Sequence, residues 1–409
     1  MSNPYAVIFR VPGTKGFSAA GFVARLPIAM APIGIVAMLS QTHGEYWLAG
    51  AVAAVFALTN ALVSPQISRF VDRFGQLRIV APATIISAAA FLALIAATHF
   101  GWPNWALFVS AFLAAAMPSM SAMVRARWSV IFRDRPELNT AFAFESAADE
   151  LIYIAGASLS VGLSVSFFPE AGILASTILL SVGSAAFLLQ RGTEPKVVEW
   201  TGEERAQGSA ILLRPVQIVT LTLIFVGAIF ATAEVSAVAI TEALGKPDAA
   251  SLVIGVYAVG SFVLGLVLGA LNPQMPLQRQ LLIAVGVLAA TAVPLLFASG
   301  SVAVLAFAVF VSGIAVSPTF ITAFGLVERR VPASMLTEGV TWVMTGIGIG
   351  MALGAFVAGW VVDNYGPENG FWVSVASGVA AFLTVALGQR SLSVKCACPS
   401  DDPKLQPAV

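Results

Sequence analysis

Two histidines and two cysteines are all that 409 residues provide of the side chains best suited to metals and nucleophilic chemistry. His43 and His99 both fall between the long apolar runs, so no histidine relay crosses the interior. Cys396 and Cys398 lie in a polar tail. Two thiolates do not close a zinc sphere, and free thiols in a reduced cytoplasm are expected there. Charge is scarce as well, at 10% of residues, against roughly 25% in an ordinary soluble domain. The formal net charge is zero, which removes the electrostatic footprint of a nucleic-acid binder. A Gly-x-x-x-x-Gly-Lys-Ser/Thr loop is missing, which excludes a P-loop nucleotide motor. With no metal cluster or activated nucleophile among the apolar segments, neither an enzyme nor a cofactor nor a metal is expected.

What is abundant is hydrocarbon: 58% of residues are hydrophobic and the mean hydropathy is +0.90. A bilayer core of about 30 Å needs runs of about 20 apolar residues at ~1.5 Å rise each. Twelve such runs are present, near 17–40, 46–66, 79–98, 103–124, 141–166, 171–190, 216–241, 250–271, 281–298, 302–326, 339–362 and 371–389. Unbroken apolarity without alternation predicts helices rather than a barrel. The first run is longer than a signal-peptide core and no small-residue cleavage site follows it, so it is expected to be retained. The expected fold class is an all-α polytopic membrane protein with twelve transmembrane helices.

Basic residues orient the chain. Of its 21 lysines and arginines, all but Arg25 and Lys246 fall before, after or between runs on the side that holds both termini. That side is expected to be cytoplasmic. The count places Arg125, Arg127, Arg133 and Arg135 in the loop after span four, and Arg329 and Arg330 in the loop after span ten. Trp47, Trp102, Trp105, Trp360 and Trp372 fall at outer span ends and Trp128 at an inner one, as interfacial belts require. The longest polar insert, 191–215, separates six spans from six. The resulting division is 1–190 as one half, 191–215 as a cytoplasmic linker, 216–390 as the other half and 391–409 as a cytoplasmic tail.

Ionisable groups inside spans cost roughly 2.5–3.5 kcal/mol each at mid-membrane, so those present require a reason. Arg25 lies in span one, and Glu145, Asp149 and Glu150 lie within span five. Asp149 enters about nine residues, or ~13 Å, and Arg25 about eight, or ~12 Å, so an ion pair is permitted. Glu145 and Asp149 share a helical face, whereas Asp149 and Glu150 diverge by about 100°. Arg25 is expected to hold Asp149 or Glu150, leaving the remaining acids, Glu145 among them, to exchange a proton or meet a cationic solute. The alternative is a structural salt bridge between spans one and five, with Glu145 reaching back to the inner interface. Glu234 in span seven faces either the central cavity or the outer interface. Gly346, Gly350 and Gly354 in span eleven, and Gly265 and Gly269 in span eight, form small-residue faces that serve either motion or static packing.

The loop between spans two and three reads Ser68-Arg69-Phe70-Val71-Asp72-Arg73-Phe74-Gly75-Gln76-Leu77-Arg78. It resembles the Gly-x-x-x-Asp-Arg-x-Gly-Arg-Arg/Lys loop of the major facilitator superfamily. Asp72, Arg73, Gly75 and Arg78 match, whereas Ser68, Gln76 and Leu77 depart. The stretches Pro318-Thr319-Phe320 to Val331-Pro332 and Thr337-Glu338 to Trp342 look like a bacterial branch of that superfamily. The resemblance implies two six-helix halves around a central site, with spans one and five as neighbours. It implies a gating loop in which Asp72 meets helix amino ends and nearby arginines when the inner side closes. It also implies a secondary transporter working as a monomer in a bacterial inner membrane, exporting small amphipathic or drug-like compounds by proton antiport. Uptake of a small metabolite, or a membrane enzyme or receptor, are the alternatives. Where the branch carries Gly-Pro in span five, this chain has Gly156-Ala157, a departure from the antiporter motif.

Overall fold

The structure is a computed structural model that describes residues 4–44, 46–133, 135–197, 208–246, 249–271 and 275–393. Cys396 and Cys398, and most of the expected tail, lie outside the described residues. A short α1 (Pro4–Ile8) precedes α2 (Thr14–His43), α3 (Tyr46–Phe74), α4 (Gln76–His99), α5 (Asn104–Ala114), α6 (Met120–Ile131), α7 (Glu137–Ser166) and α8 (Ala171–Leu189). After the connecting segment come α9 (Arg214–Ala243), α10 (Ala249–Leu271), α11 (Leu277–Ala292), α12 (Val302–Gly313), α13 (Val316–Arg330), α14 (Leu336–Tyr365) and α15 (Phe371–Ser393). They make twelve membrane passes in two six-helix halves, because α5 with α6 forms span four and α12 with α13 forms span ten. Lipid offers no hydrogen bonds, so each apolar run must satisfy its backbone within the helix.

The two broken spans show how a helix is interrupted inside a membrane. Span four opens over 115–119, just before and around Pro118. Neighbours take up the carbonyls set free: Ser87 Oγ donates to Ala114 O at 2.6 Å, and Asn60 Nδ2 to Ala115 O at 3.0 Å and Met117 O at 3.3 Å. Span ten breaks at 314–315, ahead of Pro318. The backbone N–H of Ser317 there donates to Ser261 Oγ at 3.2 Å. The halves therefore repeat a mid-membrane break.

One expectation from the basic-residue count is corrected by this geometry. Arg125 and Arg127 do not lie in a loop after span four but inside α6, 1% and 0% exposed. Restarting after Pro118, the helix carries them back into the bundle. Trp128, expected at the inner interface, is likewise fully buried. Arg127 lies over the Phe187 ring, 3.8 Å from its centre, and donates to Gln76 Oε1 (2.9 Å), Gln190 O (2.9 Å) and Thr193 Oγ1 (2.8 Å). Trp47, Trp102, Trp105, Trp360 and Trp372 are exposed at the opposite face, at or near helix ends.

The halves meet where α3 packs on α14 and where α7 packs on α10 and α13. One apolar core runs through both halves, from Phe17, Met123 and Phe142 to Phe324 and Val340. A second is built from first-half residues alone toward the far face, among them Ile35, Phe56, Phe91 and Leu107. Gly346, Gly350 and Gly354 do not border the other half: they face Thr220, Ile224 and Ala228 of α9, and a Cβ at Gly350 would run into the Ile224 backbone. Gly269 is the glycine of this set that faces the other half, against Ala143.

Candidate functional site

Helix α7 presents three acids in two directions. Arg25 of α2 donates to Glu145 Oε2 at 2.5 Å and Asp149 Oδ1 at 2.8 Å. Arg125 of α6 donates to Asp149 Oδ2 at 2.8 Å. Ser18 Oγ (2.9 Å) and Trp128 Nε1 (2.7 Å) donate to Glu145 Oε1, and Ser121 Oγ to Asp149 Oδ1 at 3.1 Å. The result is a quartet of two guanidinium and two carboxylate groups, formally neutral. Arg25 is 2% exposed, Glu145 is fully enclosed and Asp149 is 16% exposed. Buried charges are tolerated when pairing and hydrogen bonding replace lost water, and every member here is paired, with Arg125 Nε left without a partner among the described residues. The Arg125 guanidinium also lies 4.1 Å from the centre of the Phe324 ring, which belongs to the other half.

Arg25 thus holds Glu145 and Asp149 together, because residues four apart share a face of α7. Glu145 is enclosed by Arg25, Ser18 and Trp128, so it is paired with Arg25 and does not reach back to the inner interface, contrary to the placement expected for it. Arg125 was missed by the sequence reading. Its signal was spacing, since Ser121, Arg125 and Trp128 recur at helical intervals after Pro118.

Glu150 turns away toward the second half. Its Oε1 accepts from Ser261 Oγ of α10 and from Ser317 Oγ of α13, the latter at 3.0 Å. Those serine hydroxyls are 3.0 Å apart. Oε2 is buried without a partner among the described residues. Each of the adjacent acids therefore meets the first turn of a broken span: Asp149 that of α6 through Ser121, and Glu150 that of α13 through Ser317. Helix amino ends carry partial positive charge and favour anions. Glu234 stands apart on α9, exposed and without an ion pair or hydrogen bond among the described residues.

On the face where both described ends of the chain lie, Asp72 caps α14 across the halves. Its carboxylate accepts the backbone N–H of Thr337 at 3.2 Å and of Glu338 at 2.8 Å. The Thr341 and Ser68 hydroxyls meet at 2.7 Å, and Thr345 Oγ1 donates to Ala61 O at 3.3 Å. Nearby, Thr140 Oγ1 reaches Gly269 O at 2.8 Å. Tyr5 of α1 donates to Leu266 O at 2.6 Å, and burial pushes its phenol up to about 12, so it remains a donor. This face is closed.

The loop's departures from the family pattern have local uses. Ser68 makes a bond between halves, and Gln76 accepts from the buried Arg127, whose charge a basic residue at 76 would oppose. Gly75 has φ +94°, a conformation that L side chains avoid, and it separates α3 from α4. Leu77 N–H is capped by Glu194 Oε1 at 3.0 Å. Arg73 and Arg78 are exposed, Arg73 lying over Phe74, and neither pairs with Asp72.

Two six-helix bundles with paired broken spans, a buried charge network and a latch at one face define a multi-pass membrane transporter. The chain belongs to the Major Facilitator Superfamily, whose family model matches residues 17–238 and again 219–394. No curated protein sequence matches the chain. Among solved structures it is similar in fold to a bacterial homologue of the iron transporter ferroportin in its outward-facing state, at 17% identity and TM-score 0.71, covering 92% of this chain and 99% of that one. It is similar to the human organic anion transporter MFSD10 (TETRAN), at 12% identity and TM-score 0.66, covering 92% and 100%. It is also similar to the E. coli fucose:proton symporter FucP, at 16% identity and TM-score 0.64, covering 91% and 98%.

Proposed function

We propose that this protein is a proton-coupled secondary transporter that exports small amphipathic or drug-like compounds by alternating access between halves 1–190 and 216–390. The observation that carries the reading is Glu150. It is the span-five acid outside the arginine quartet, it is held by two serines of the opposite half, and one of its oxygens lacks a partner. When the halves separate, the Ser261 and Ser317 bonds are lost, so whatever replaces those donors, water or a proton, arrives with the movement. Proton uptake and rocking are thereby linked. Arg25, Asp149 and Glu145 set the position of α7, and Glu234 lies on the second-half wall. Asp72 and Gly75 form the gate, with Arg73 and Arg78 as its basic rim. The basic face is cytoplasmic on this reading, the membrane is a bacterial inner membrane, and the working unit is a monomer.

The test is flux in proteoliposomes under an imposed pH gradient, over a panel of amphipathic solutes. Wild type is expected to move solute against the proton gradient, and Glu150→Gln to retain solute exchange while losing dependence on the gradient. Gradient-driven flux at the wild-type level in Glu150→Gln removes the proton role.

A further inference from the structure

Glu234 and Phe230 lie one turn apart on α9. Phe230 stacks on Phe320 of α13, with ring centres 5.9 Å apart and planes within 8°. Tyr257 of α10 meets Phe230 edge-on at 5.3 Å. Tyr257 is only 5% exposed, and its hydroxyl has no partner among the described residues. Tyr257 is also one turn from Ser261, which places the ring group directly beside the contact between the halves. Among the described residues, no guanidinium or ammonium lies over Phe230, Phe320 or Tyr257. The nearby Arg125 is committed to Asp149.

We infer that Glu234, Phe230, Phe320 and Tyr257 form the binding site for a lipophilic organic monocation, a conclusion that rests on the transporter reading above. Ring faces carry negative potential and attract cations, and they give an apolar body its contact surface. The lone carboxylate sets the sign of the charge. Glu150 already has its serines and the proposed proton, so one uncommitted acid remains and one positive charge is matched. The orphan Tyr257 hydroxyl supplies a lone pair for an ammonium N–H or for a polarised carbon beside a quaternary centre.

Tetraphenylphosphonium and tetraphenylborate have nearly the same size and opposite charge. Equilibrium dialysis of each against the purified full chain, with no ion gradient, separates charge recognition from hydrophobic partitioning. The expected result is saturable binding of the phosphonium and none of the borate. Glu234→Gln should weaken phosphonium binding about tenfold or more with its melting temperature unchanged, and Phe230→Leu about fivefold. Equal binding of the two ions, no saturable cation binding, or wild-type affinity in either variant overturns the site. Selective cation binding without gradient-driven flux overturns the transporter reading and leaves the site standing. Gradient-driven flux without cation selectivity does the reverse.

Discussion

Arg25 is almost wholly withdrawn from the surface, at 2% exposed, and two carboxylates pair with it. Removing one member of a buried ion pair leaves an uncompensated charge and costs about 3–5 kcal/mol, whereas replacing both members with apolar groups is far milder. Arg25→Leu is therefore expected to lower the melting temperature in detergent sharply, and the Arg25→Leu/Glu145→Leu double variant to recover much of the loss. A double variant no more stable than the single one would show that Glu145 does not depend on Arg25. Gln76→Arg, which restores the family residue, is expected to destabilise by setting a second cation against Arg127. At this scale the sequence showed which residues pay the membrane's penalty, and matching depth together with the family's arrangement of spans one and five brought Arg25 beside Asp149. It did not show Arg125 or Trp128 as partners. An arginine at a span's edge looks the same whether the helix ends or continues, and only the restart after Pro118 decides which.

The amino end of α14 is capped from the opposite half by Asp72. A carboxylate at a helix amino end contributes about 0.3–2 kcal/mol. Asp72→Asn is expected to shift the halves about twofold to thirtyfold toward opening of the basic face. Spin labels at positions 78 and 329 would report it as a longer distance. An unaltered distance in Asp72→Asn would mean the cap is not part of the gate. Helix number and approximate ends were legible because lipid permits little besides helices. The breaks in spans four and ten were not, because an apolar run reads the same through an interruption that neighbouring Asn60, Ser87 and Ser261 have made tolerable.

For the molecule as a whole, the basic residues predict a sidedness that can be measured. Cysteine at Lys196 should react with an impermeant thiol reagent only from the cytoplasmic side of cells, in a background lacking Cys396 and Cys398, and cysteine at Lys246 only from outside. The reverse pattern would invert the proposed orientation. The division into two sets of six spans was legible from the polar insert, while the neighbour of the span-eleven glycines was not, because a small-residue face does not say which helix it meets. The neutrality of the quartet has an electrical consequence. An elementary charge carried across a membrane gains or loses about 2.3 kcal/mol per 100 mV. Two guanidinium and two carboxylate groups travelling together carry no net charge through that field, so the quartet itself adds nothing to any voltage dependence of rocking. On the proposed function, the net charge moved in a cycle depends on the occupancy of Glu150 and Glu234.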